Sequence, residues 1–212
     1  MKSLLISGMD GQMGREVARL CPEYGFAPRL FTPEAPGAVI IDFSHPDCLD
    51  GLLQSPLPLV IGTTGYTAEQ AERIREAART RPIFQAANFS PGVYALGLIA
   101  KDVRRMLPDW DASLIERHHA RKQDRPSGTA LDLARGIGLE HERILSVRGG
   151  TVRGVHELAF YGPEETLILT HIAESRAVFA HGALRAARWL TGRLPGLYGI
   201  ENLLAGEDAN SG

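Results

Sequence analysis

The feature that most constrains this chain is its opening: an apolar run, Lys2 to Ser7, passes without a spacer into Gly8-Met9-Asp10-Gly11-Gln12-Met13-Gly14 and then into Glu16-Val17-Ala18-Arg19-Leu20. The first run reads as a buried strand and the last as a helix, and three glycines at a spacing of three lie between them. Gly8 allows a tight turn, Gly11 lets backbone approach a ligand closely, and Gly14 lets the helix sit against the strand. The helix start offers unpaired N–H groups and the positive end of its dipole to a phosphate. A strand, a glycine turn and a helix in this order are the expected front of a dinucleotide-binding domain, with a plain tight turn as the alternative.

Further apolar runs follow at Ala27 to Phe31, Ala38 to Phe43, Leu57 to Gly62 and Pro82 to Ala87, with a helical pattern over Thr67 to Thr80. Strands alternating with helices predict a parallel sheet of the doubly wound α/β kind, in which ligands lie beyond the carboxyl ends of the strands. Gly62-Thr63-Thr64-Gly65 and Ala86-Ala87-Asn88-Phe89-Ser90 follow two of these strands and are expected to face the cofactor. The position after the second strand, which commonly contacts the adenosine ribose, is occupied by Thr32, so both NADH and NADPH stay open.

After Asn88 the rhythm changes. Pro91 to Leu107 and Ser127 to Ile137 read as helices and Ser113 to His118 as a strand, and strand-like runs follow at Ile144 to Gly149, His156 to Gly162 and Thr166 to Ala173. Runs in succession predict a second, smaller α+β domain with a mixed or antiparallel sheet. Ala177 to Leu190 is a strong helix, expected to pack back on the first domain. The expected division is 1-90 with 182-212 for the dinucleotide-binding domain and 91-181 for a domain of substrate binding, catalysis and oligomerisation. By composition only Gly206 to Gly212 are expected to fray.

Composition removes several classes. With 44% hydrophobic and 23% charged residues among 212, the chain can bury a sizeable core. A formal net charge of −2 with dispersed cations gives no field for nucleic acid or an anionic membrane. Cys21 and Cys48 have neither metal-ligand spacing nor the look of a disulfide framework, and the short apolar run at the start is no signal or membrane segment; a cytoplasmic protein is expected.

The segment richest in chemistry is Glu116-Arg117-His118-His119-Ala120-Arg121-Lys122-Gln123-Asp124-Arg125-Pro126-Ser127-Gly128-Thr129-Ala130. Ser127, Gly128 and Thr129 open a helix, so hydroxyls and backbone N–H groups there can hold an anion, with Lys122 and His119 adding positive charge. A small carboxylate fits. His118 titrates near neutrality and can act as general acid or base, and Lys122 can complete a proton relay or neutralise developing charge. No metal is expected, because adjacent histidines without a clustered carboxylate make a poor zinc set. Another dehydrogenase of a small carboxylate, or a nucleotide sensor that has lost activity, would share the glycine turn without needing this segment.

These residues carry a family resemblance over nearly the whole chain. His118 to Leu131 is similar to the signature H-H-x-x-K-x-D-x-P-S-G-T-A of the dihydrodipicolinate (4-hydroxy-tetrahydrodipicolinate) reductases, which act in the diaminopimelate route to lysine. Supporting pieces are D-F-S at Asp42, G-T-T-G at Gly62, A-N-F-S at Ala87, V-R-G-G at Val147, G-x-H at Gly154 and the run S-R-A-V-F-A-H-G-A-L from Ser175. The resemblance implies His118 as proton donor and Lys122 as its catalytic partner. It implies His119, Lys122, Ser127, Gly128 and Thr129 as contacts to a small dicarboxylate, and Gly8, Met9, Asp10, Gly11, Gln12, Met13, Thr32, Gly62, Thr63, Thr64, Ala86, Ala87, Asn88 and Phe89 as contacts to NADH or NADPH. A Rossmann-type first domain and a homotetramer associating through the second domain's sheet are implied as well. Three residues depart from the family pattern: Gln12 replaces an arginine in the glycine turn, Thr32 an acidic residue, and Tyr94 the asparagine usual after Gly92-Val93.

Overall fold

Strands that are apolar on both faces must be covered on both faces, and Val39 to Ile41 and Leu59 to Ile61 are of this kind. The computed structural model describes residues 1–205; the expected frayed stretch from Gly206 to Gly212 lies outside them. In chain order the elements are β1 (Lys2–Ser7), α1 (Gln12–Leu20), β2 (Phe26–Leu30), β3 (Val39–Asp42), α2 (Leu49–Gln54), β4 (Leu59–Ile61), α3 (Ala68–Ala77), β5 (Pro82–Gln85), α4 (Pro91–Met106), β6 (Asp111–His118), α5 (Gly128–Gly136), β7 (Ile144–Arg148), β8 (Val155–Tyr161), β9 (Thr166–Ile172), α6 (Ala177–Leu190), β10 (Gly196–Tyr198) and α7 (Ile200–Ala205).

They form two compact units, Met1–Phe89 with the chain from Ala177 onward, and Ser90–Arg176. The expected return to the first unit at residue 182 moves to Ala177, because 182 lies inside α6 and a continuous helix belongs to one unit. The short β10 and α7 were not foreseen: three residues carry too little periodicity to announce a strand.

The first unit holds a six-stranded, wholly parallel sheet in the order β10-β5-β4-β3-β1-β2. Side chains alternate across it, so Leu4, Ile6, Val60 and Phe84 face α1 and α6 through Val17, Leu20, Ala183, Leu184 and Ala187. Leu5, Ile40, Leu59, Ile61 and Ile83 face α2 and α3 through Leu49, Leu52 and Ile74. Each such fully buried aliphatic side chain contributes about 1.5–3 kcal/mol relative to exposure. Buried Arg81 donates to the carbonyls of Leu52, Ser55 and Leu57, satisfying acceptors at and just after the end of α2. From β1 the chain goes to β2 on one side and then to β3 on the other, which opens a crevice beyond the carboxyl ends of β1 and β3.

The second unit is a four-stranded mixed sheet in the order β7-β6-β8-β9, with β6 and β7 parallel and the other pairs antiparallel. One face packs on α4 and α5 through Leu96, Ala100, Val103, Leu114, Ala130, Leu133, Leu158 and Phe160. The opposite face leaves Leu145, Val147, Ile168 and Ile172 exposed in the single chain.

Candidate active site

In the first unit the crevice between β1 and β3 is walled by glycines that admit no side chain. Gly8 has φ +74°, and a Cβ there would strike the Phe43 carbonyl just after β3. A Cβ on Gly14 would strike the Gly8 carbonyl, so α1 can begin close under the turn only without one. Gly11 is the N-cap of α1 and no side chain caps this end, which leaves the helix N–H groups to an exogenous acceptor. That is the chemistry a pyrophosphate requires, so these residues fit a dinucleotide. Met9 and Met13 are half-buried here, while Asp10 and Gln12 are exposed.

The other loops expected near a cofactor follow strands of the same sheet. The Ser44 N–H donates to Thr63 Oγ1 at 2.9 Å and the Ser44 hydroxyl to Asp42 at 2.5 Å, so Thr63 is tied to the end of β3, whereas Thr64 is exposed. A Cβ on Gly62 would enter the Phe43 ring. Phe43 meets Phe89 edge-on at 5.7 Å, and Phe89 stacks on Phe84 at 5.9 Å. Ala86, Ala87 and Asn88 lead from β5 to that buried phenylalanine. Thr32, two residues after β2, is exposed.

The second unit gathers titratable side chains at the carboxyl end of β6. Glu116 and His118 are two apart on one strand and share a face, and His118 Nδ1 lies 2.5 Å from Glu116 Oε2. Opposite them on β7, Arg148 grips both oxygens of Glu116 at 2.6 and 2.8 Å, and the Ser127 N–H donates to the same carboxylate at 3.3 Å. Arg148 also donates to the carbonyls of Asp124 at 2.5 Å and Lys122 at 3.3 Å, so it ties down the loop that carries Lys122. Lys122 pairs with Asp124 at 2.8 Å. Ser127 caps α5 by accepting from the Ala130 N–H, and its hydroxyl meets His156 Nε2 at 3.3 Å. Gly128 and Thr129 are the first residues of that helix.

Charge here is strongly conditioned by surroundings. Burial works to raise the Glu116 carboxyl, but hydrogen bonds from Arg148, Ser146 and His118 outweigh it and hold the group at about 2. Burial pulls His118 below the usual histidine range, opposed by Glu116 and assisted by Lys122 and Arg148. His156 is pushed down to about 3, chiefly by burial, and is neutral. His119 is depressed by desolvation and then by Arg176, Arg121, Lys122 and Arg153, a group of cations suited to an anion. The His118 and His156 rings meet edge-on at 5.3 Å, and His156 Nδ1 is buried without a hydrogen-bond partner among the described residues. A Cβ on Gly154 would come within 3.2 Å of His118 Nε2, so the glycine leaves space on the side of the ring away from Glu116.

Two family models match the chain: dihydrodipicolinate reductase, N-terminus, over residues 30–89, and dihydrodipicolinate reductase, C-terminus, over residues 92–204. The chain belongs to the dihydrodipicolinate reductase family. A 4-hydroxy-tetrahydrodipicolinate reductase of Caldanaerobacter subterraneus subsp. tengcongensis is 35% identical over 96% of this chain and 98% of that protein. One from Rickettsia bellii is 42% identical over 76% of this chain and 73% of that protein. Among solved structures, a dipicolinate-bound dihydrodipicolinate reductase from Paenisporosarcina sp. TG-14 has a TM-score of 0.78 at 23% identity, covering 95% of this chain and 99% of that one, which establishes the shared fold.

Within this family member His118, His119, Lys122 and the Ser127–Thr129 helix start all lie in the unit Ser90–Arg176. It adds Glu116, Arg148 and His156, to which sequence reasoning gave no role. Their signals were present: Glu116 has the period-two spacing to His118, and Arg148 and His156 lie in the V-R-G-G and G-x-H pieces. What was missing was the register that sets Arg148 and His156 beside β6. Among the described residues, no helix is long and apolar enough to cross a membrane.

Proposed function

We propose that the chain reduces 4-hydroxy-tetrahydrodipicolinate to tetrahydrodipicolinate with NADH or NADPH, releasing water, in the diaminopimelate route to lysine. Family membership supports the reaction class. The observation that carries the assignment to residues is the convergence of His118, Lys122 and the capped start of α5 at the carboxyl end of β6.

The glycine turn Gly8 to Met13 and the loops at Gly62 to Thr64 and Ala86 to Phe89 would hold the cofactor, with Thr32 beside the ribose. A bound nicotinamide would supply the hydride that C4 of the dehydrated, conjugated cyclic imine accepts. The chain's own groups do the rest. His119, Lys122, the Ser127 hydroxyl and the N–H groups of Gly128 and Thr129 hold the two carboxylates, as cations and a helix start favour. His118, its Nδ1 held by Glu116, is left with Nε2 to deliver a proton as electron density runs toward the ring nitrogen, and Lys122 offsets the developing negative charge. A bound dianion favours the imidazolium, countering the burial that lowers it in the free chain.

A homotetramer built through the open face of the second sheet accords with the exposed Leu145, Val147, Ile168 and Ile172, an apolar set a lone chain would leave in water. A cytoplasmic setting accords with the two free cysteines.

The test is a coupled assay that generates substrate from pyruvate and aspartate semialdehyde with a synthase and follows loss of nicotinamide absorbance with NADH and NADPH separately. Oxidation of either, abolished in Lys122→Ala, is expected. No oxidation from folded protein that binds nucleotide would overturn the assignment.

A further inference from the structure

The side chain of Glu116 is fully buried, yet its carboxylate holds three separate parts of the site: the imidazole of His118, the guanidinium of Arg148 and the N–H that begins at Ser127. A carboxylate wanted only for packing would need the arginine alone. Contact with Nδ1 has a chemical consequence, because an acceptor at one ring nitrogen places the proton there and leaves the other nitrogen to react. Arg148 extends the same anchor to the carbonyls of Lys122 and Asp124, so one buried ion pair orders both the imidazole and the loop bearing the lysine.

We propose that Glu116, anchored by Arg148, is the positioning residue of the reduction, holding His118 in the Nδ1–H tautomer and stabilising its imidazolium so that Nε2 can donate. This inference rests on His118 being the proton donor. The groups facing His118 are Glu116 on its own strand, Arg148 from β7, His156 from β8, and Lys122, itself paired with Asp124, from the loop before α5. Glu116 is the sole anion in contact with the ring among the described residues, set against two cations and a neutral imidazole.

A donor must be protonated, so turnover falls as pH rises through the donor's own titration. Removing the negative charge makes the imidazolium harder to keep and moves that fall to lower pH. In Glu116→Gln the alkaline limb of kcat is expected to move down by about one pH unit or more, with KM changing far less than kcat. Glu116→Asp, which packs worse but keeps the charge, should move the limb less than Glu116→Gln does. A purely structural carboxylate predicts the opposite order, the isosteric glutamine being the milder change, or an unmoved limb in both; either result overturns the proposal. Nitrogen-15 spectra of the wild-type imidazoles supply a readout that needs no variant to fold: the neutral form of His118 should carry its proton on Nδ1, and a proton on Nε2 overturns the proposal. His118→Gln separates the two levels. Retained turnover in that variant removes the donor assignment itself, whereas lost turnover with an unmoved limb in Glu116→Gln removes only the role of Glu116.

Discussion

The roles proposed for His118 and Lys122 draw their support from what lies directly against each side chain. His118 is held on one ring nitrogen by Glu116 and given room on the other by Gly154. Lys122 is held through its loop backbone by Arg148 and at its head by Asp124. With proton delivery worth roughly 10²–10⁴-fold, His118→Gln and Lys122→Ala are each expected to lower kcat by about that factor while the proteins remain folded by circular dichroism. Most of the wild-type turnover in either would refute its role. Gly14 is a contrasting case, in which a side chain is forbidden rather than required. Gly14→Ala drives a methyl into the Gly8 carbonyl, so nucleotide binding, followed by nicotinamide fluorescence, should weaken at least tenfold, a cost of about 1.4 kcal/mol.

Two capped helix starts allow the proposed anion site to be separated from plain capping. Thr67 caps α3 with a reciprocal bond to Gln70, and Ser127 caps α5 while also touching His156. Loss of either cap, in Thr67→Ala or Ser127→Ala, should cost about 0.5–2 kcal/mol of stability measured by urea unfolding. KM for the dicarboxylate is expected to rise only in Ser127→Ala, and an equal rise in both would indicate that anion binding does not depend on Ser127. Elements were also the scale at which the sequence could be read best. The glycine turn and the helix after Pro126 are local patterns, each visible within a dozen residues, and the alternation from β1 to β5 is a succession of such short segments. Glu116, Arg148 and His156 escaped notice as a group because Arg148 reaches Glu116 from 32 positions away, and His156 faces Glu116 through an antiparallel pairing. Local periodicity says which face a residue occupies but not which strand lies alongside.

For the molecule as a whole, the buried polar groups dictate how it responds to acid. Folded His156 resists protonation down to about 3 while the unfolded chain takes up the proton near 6.5, so its contribution to stability is present at neutral pH and is lost as pH falls between those values. Glu116, held at about 2 in the fold against 4.5 unfolded, adds a further loss below 4.5. The urea midpoint should therefore decline steadily from pH 6.5 downward, and His156→Gln should flatten the part above 4.5; a midpoint independent of pH in that range would contradict the neutral buried imidazole. The proposed association is the other property of this scale. Ile168→Asp, on the open face of the second sheet, should lower the mass measured by light scattering, whereas an unchanged mass would put the interface elsewhere.

The return of the chain to its first unit at Ala177 bears on how the protein is made. A ribosome delivers residues in order, so all of Ser90–Arg176 has emerged before α6 appears. Until then Leu4, Ile6, Val60 and Phe84 lack the Ala183, Leu184 and Ala187 surface that covers them in the finished fold. The segment translated second can thus complete its own sheet first, while the one begun earliest waits with an apolar flank bare. Nascent chains stalled shortly before Ala177 are the stage at which a chaperone that binds exposed aliphatic surface has most to protect.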